Sequence, residues 1–123
     1  MKIRIKGNSI RIRLSRTEVS SFGQNGYLEE KTEFGTSAFI YAMQIKKDAV
    51  QMTADFSDDK ITMHIPSSIA EEWTTTDIVG FNNNLDLGNG QSLFLLIEKD
   101  FKCIDNTTED QSDNYDHPLI TCN

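Results

Sequence analysis

The stretch "KIRIKGNSIRIRL", residues 2–14, constrains the fold of this chain more than any other. Ile3, Ile5, Ile10, Ile12 and Leu14 alternate with Lys2, Arg4, Lys6, Arg11 and Arg13, and the alternation breaks at Gly7-Asn8. A two-residue period is the side-chain repeat of a strand, and Gly-Asn suits a tight turn, so the pattern predicts a β-hairpin with one aliphatic and one basic face.

The hairpin runs straight into a helix signal. Ser15 is placed as N-cap, Glu18 three residues later completes a capping box, and Leu14 and Val19 are spaced for a hydrophobic staple, which predicts a short helix over 16–24 ended by Asn25-Gly26. Beyond it "YLEEKTEF" reads as a weakly patterned strand and "SAFIYAMQI", apolar on both faces, as a central one. The firmest pairing is a hairpin over 50–65, in which "VQMTADF" and "ITMHIP" flank a turn at Asp58-Asp59-Lys60. Ser68 with Glu71 forms a second capping box ahead of a brief helix carrying Ile69 and Trp73 on one side. "DIVGF" and "SLFLLIEKDF" are strands separated by a loop, "NNNLDLGNGQ". No internal repeat is evident. The sum is an α+β fold with two short helices and a mainly antiparallel sheet, open to closing toward a barrel, because short connections favour antiparallel pairing.

A chain of 123 residues suits a single domain, residues 1–123, with a body over 1–100 and a C-terminal segment over 101–123. The net charge of −7 is concentrated at that end: residues 1–97 carry 12 acids and 10 bases, residues 98–123 carry 7 acids and 2 bases. Phe101, Ile104, Tyr115, Leu119 and Ile120 are too apolar for a purely solvated tail. The expectation is therefore an acidic segment packed on the body, its carboxylates near the basic hairpin face. The first residues hold no apolar core of a signal peptide and the chain no apolar run of membrane length, so a cytoplasmic protein with reduced Cys103 and Cys122, and no membrane partner, is expected.

Candidate chemistry is sparse. Six bases and no acid fall in residues 1–16, and on one pleated face Lys2, Arg4, Lys6, Arg11 and Arg13 would converge on a single anion; the plainer alternative is the solvated outer face of a hairpin. Nucleic acid is not expected, because the chain is acidic and that face has no interleaved aromatics. Cys103, His117 and Cys122 match no zinc module in spacing, and the acidic span from Asp105 to Asp116 fails as an EF-hand, with Asp110 where glycine is required. No nucleophile elbow, P-loop, HExxH or dinucleotide fingerprint occurs. His64, Trp73 and Asn83 are further ligand-binding candidates on the condition that His64 and residues 82–84 converge on Trp73. Neither a cofactor nor a metal is expected.

Two stretches, "IKGNSIRIRLSRTEV" and "VGF…LGNGQSLFLLIEKDFKCIDNTTEDQSDNY", resemble a family of short bacterial proteins known only as a domain of unknown function, over nearly the whole chain. The resemblance implies a small stand-alone bacterial protein, transfers no site residues, and makes the C-terminal segment integral to the domain. The functional expectation is a non-catalytic binding or interaction protein, monomeric or homodimeric, that recognises a small anion or a protein partner through the basic face. Two other readings remain open here: an enzyme or metal-dependent protein with carboxylates and His64 or His117 at its site, and a structural homo-oligomer subunit.

Overall fold

The computed structural model describes residues 1–102, 113, 115 and 116. Along the chain run β1 (Lys2–Ile5), β2 (Ser9–Leu14), α1 (Arg16–Asn25), β3 (Tyr27–Glu33), β4 (Ala38–Lys46), β5 (Thr53–Ser57), β6 (Lys60–Pro66), α2 (Ser67–Thr75), β7 (Gly80–Gly88) and β8 (Gln91–Lys99). Two short strands, β9 (Phe101–Lys102) and β10 (Tyr115–Asp116), follow and pair in parallel. Among the described residues no helix is long and apolar enough to cross a membrane.

The α+β composition and the two short helices agree with the sequence. The sheet does not. Two separate four-stranded mixed sheets form, in the orders β1-β2-β8-β7 and β3-β4-β6-β5, and neither closes into a barrel. Each is built from two antiparallel hairpins whose inner strands, β2 with β8 and β4 with β6, run parallel. Short connections constrain only strands that follow one another, and the parallel partners lie in different hairpins, so chain order left their direction open. "NNNLDLG" is strand rather than loop, because Phe81 and Leu85 keep the inward phase opposite Ile97 and Leu93, and the turn tightens to Asn89-Gly90 at positive φ. Conversely β5 starts only at Thr53, leaving Val50 in solvent.

Pairing register exposes a repeat that residue identities conceal. Hairpin–helix–hairpin occurs twice, as β1β2α1β3β4 and β5β6α2β7β8, with β2 of the first unit pairing β8 of the second and β6 of the second pairing β4 of the first. Gly7-Asn8 corresponds to Asp58-Asp59, Arg16 to Ser67 and Phe22 to Trp73. Matching backbone bonds recur as well: Phe94 N–H donates to Asn8 and Ile40 N–H to Asp59, both at 3.0 Å. Phe22 and Trp73 meet edge-to-face with centroids 6.4 Å apart, joining the two units through equivalent side chains.

One core serves both sheets. Ile10, Ile12, Leu14, Leu95 and Ile97 from the first sheet meet Met43, Met63 and Ile65 from the second, with Val19, Phe22, Ala70 and Trp73 supplied by the helices. The strand period therefore commits the opposite faces to solvent, and the five hairpin cations lie on one of them.

Candidate functional site

The outer face of the β1-β2-β8-β7 sheet is set by register. Lys2 sits opposite Arg13 and Arg4 opposite Arg11, while β8 contributes Leu96 beside Arg11, Glu98 beside Arg13 and Phe94 beside Ser9. Neighbouring strands lie about 4.8 Å apart and same-face residues about 6.8 Å apart along a strand, so the cations form a compact grid. Shallow depressions of about 340 Å³ and about 180 Å³ lie over it, the first edged by Lys2, Arg4, Arg11 and Arg13, the second by Lys6, Phe94 and Leu96.

Internal neutralisation of this grid is partial. Among the described residues Glu98 accepts from Arg13 Nε at 2.9 Å and meets Arg11 at 3.5 Å, and Lys2 reaches Asp100 at 3.0 Å. Arg4 and Lys6 form no ion pair among the described residues. Burial, together with Arg13 and Arg4 nearby, pushes the Arg11 guanidinium below its ordinary value, with Glu98 opposing. Like charges are thus held closer than they would lie in free solution, an arrangement that an incoming anion relieves.

The other three sequence candidates do not join this face. His64 lies on the outer side of the second sheet, where Nε2 is 2.7 Å from Asp55 Oδ2. Trp73 is fully buried, and its indole N–H donates to the Val79 carbonyl at 2.9 Å, a core anchor rather than a pocket wall. Asn83 points inward and donates to the Met52 carbonyl at 2.8 Å, tying β7 to the segment ahead of β5. The condition that would have united these residues is not met. Cys103, His117 and Cys122 lie outside the described residues, as does most of the acidic segment.

Two parts of that segment are described. Asp113 accepts from Thr17 Oγ1 at 2.8 Å and from the Thr17 amide at 3.2 Å, and its carbonyl accepts from the Arg16 amide at 2.9 Å. Tyr115 packs edge-to-face on Phe101, centroids 5.4 Å apart, and its ring centre lies 5.5 Å from the Arg16 guanidinium and 5.4 Å from the Lys99 ammonium. These contacts sit at the first turn of α1, and the Tyr115 amide donates at 2.7 Å to the carbonyl of Asp100, whose carboxylate meets Lys2 of the grid.

Sequence reading missed Phe94, Leu96 and Glu98 as members of the face and Lys99 as an interior residue. Their signal was present in "SLFLLIEK": with Leu93, Leu95 and Ile97 inward, strict alternation sends Phe94, Leu96 and Glu98 outward and Lys99 inward.

Comparison with protein families matches residues 1–119 to a family of unknown function, DUF7009. The chain belongs to that family. The match spans β1 to the C-terminal segment and so takes in both hairpin–helix–hairpin units and the cationic face. Comparisons with curated proteins and with solved structures found no match.

Proposed function

We propose that this protein is a non-catalytic binding module of a bacterial cytoplasm that recognises an acidic segment of a protein partner through the outer face of the β1-β2-β8-β7 sheet. The observation that carries this reading is the excess of cations over anions on that face, with Arg4 and Lys6 unpaired among the described residues. A plainer origin exists for part of it, because charged side chains on an edge strand discourage strand-to-strand aggregation. That accounts for Lys2 and Arg4 on β1 and for Lys6 just past its end, but not for Arg11 and Arg13, which project from the interior strand β2.

The shape of the face favours an extended partner over an enclosed small molecule. The depressions are open, and the cations follow two adjacent strands rather than closing around a point. Phe94, 36% exposed, and Leu96 give the centre an apolar strip, so an acidic segment carrying apolar residues matches it better than a bare polyanion. With a single exposed aromatic among the described residues, the face lacks the stacking series by which single-stranded nucleic acid is held.

Isothermal titration with poly-L-glutamate at low ionic strength tests the proposal, with a thymidine oligonucleotide as the competing probe. Binding to polyglutamate should weaken steeply as salt approaches about 0.15 M, where the screening length is about 8 Å, and should drop at least about tenfold in an Arg4→Ser/Lys6→Ser variant. Equal binding by the variant, or preference for the oligonucleotide, sinks the proposal.

A further inference from the structure

The two units of the fold diverge most at one place, and a buried charge lies there. In the first unit a single residue, Gly26, joins α1 to β3, and the join is closely packed: a Cβ on Gly26 would lie 3.9 Å from Ile45. In the second unit four residues join α2 to β7. The counterpart of Ile45 is Lys99, as the backbone bonds show: Ile45 N–H donates to Gly26 and Lys99 N–H to Val79, both at 2.9 Å. A lysine only 5% exposed thus occupies a site that is aliphatic in the other unit. Beside it is a cavity of about 480 Å³, walled by Arg16, Thr76, Asp77, Lys99, Phe101 and Tyr115 among others.

Local structure uses only part of that lysine. Its ammonium donates to the Thr76 carbonyl at 2.6 Å, at the end of α2 where the helix dipole favours a cation. One of three N–H groups is accounted for in this way. Lys99 forms no ion pair among the described residues, and Asp77 acts on it only at longer range. The ammonium lies 5.4 Å from the centre of the Tyr115 ring, and Arg16 lies 5.5 Å from the same ring. Thr74, Thr75 and Thr76 donate their hydroxyl protons to the Glu71 and Glu72 carbonyls, so among the described side chains of the wall the donors left are the two cations and the Tyr115 hydroxyl. Burying an ammonium without a counter-ion is costly, and an arriving anion removes the cost.

We propose that this cavity is a second binding site, separate from the outer sheet face, that takes a small oxyanion, a phosphate or a carboxylate, between the Lys99 ammonium and the Arg16 guanidinium. Arg16 can grip two oxygens of such a group in parallel while Lys99 serves as a point charge. Burial already holds the Lys99 amine below its ordinary value, with Asp77 opposing, and a bound anion should raise it.

Amide NMR titrations of the full chain with inorganic phosphate and, separately, with acetate decide the matter. Saturable shifts of residues 76–80 and Lys99 are expected at about millimolar concentration. They should persist in Arg4→Ser/Lys6→Ser, which removes two of the outer-face cations, and weaken at least about tenfold in both Arg16→Gln and Lys99→Met. Saturation by phosphate alone assigns a phosphate ligand, and saturation by acetate alone assigns a carboxylate. The proposal is overturned if neither anion saturates, if the shifts disappear in the outer-face variant, or if Arg16→Gln binds as the parent does. Arg16 is exposed at the start of α1, so that variant remains decisive should Lys99→Met fail to fold.

Discussion

Glu98 and Lys99 are adjacent in sequence and face opposite sides of one strand. The first partly neutralises the outer grid, and the second carries a charge into the core. Asp113 shows what a single carboxylate does elsewhere. Hydrogen bonds from Ser15 and Thr17 hold it below the usual aspartate range, against a small contrary effect of burial. Because its folded value is lower than its unfolded one, the contact with α1 is complete above the ordinary aspartate value and is lost as pH falls through the depressed folded value. The Thr17 amide resonance should therefore titrate below about 3.9, the ordinary aspartate value, and lose the transition in Asp113→Asn. Titration at the ordinary value would contradict the contact.

The two helices carry the same start signal, and only one uses it. At α1 the Ser15 hydroxyl accepts from the Glu18 amide and the Glu18 side chain accepts from the Ser15 amide, so the capping box forms as its spacing predicts. At α2 the helix begins at Ser67 with Pro66 in the N-cap position, and no side chain caps it. Ser68 consequently falls inside the first turn, where its hydroxyl cannot serve as N-cap. Ser15→Ala should cost about 1 kcal/mol of stability and Ser68→Ala close to nothing, as read by chemical denaturation; equal losses would show that α2 is capped by the serine after all. Hairpins were legible because alternation and turn residues are local: Ile10, Ile12 and Leu14 face inward as their spacing predicts. Strand β7 was not, since its three asparagines have turn chemistry and only the phase of Phe81 and Leu85 against β8 makes it a strand.

Residues 2–99 form two interlocked units, and this was invisible in the sequence because equivalent core positions share polarity rather than identity: Phe22 answers Trp73, and Ile12 answers Met63. Each sheet takes one hairpin from each unit, so neither unit alone can complete a four-stranded sheet. Isolated two-stranded hairpins are marginal in water. Fragments 1–48 and 49–123 should therefore be largely unfolded separately and regain native circular dichroism when mixed; cooperative unfolding of either one as a monomer would contradict the interlocked arrangement. Of the candidate site, the five hairpin cations were legible from alternation alone. Their apolar strip and carboxylate were not, because β8 joins them from the far end of the chain. Amide shift mapping of the full-length protein with poly-L-glutamate addresses the proposed binding face most directly. The expected footprint covers β1, β2 and Phe94 to Glu98 and spares the outer side of the β3-β4-β6-β5 sheet. A footprint centred on His64 and Asp55, or none at low salt, would contradict recognition through the cationic face.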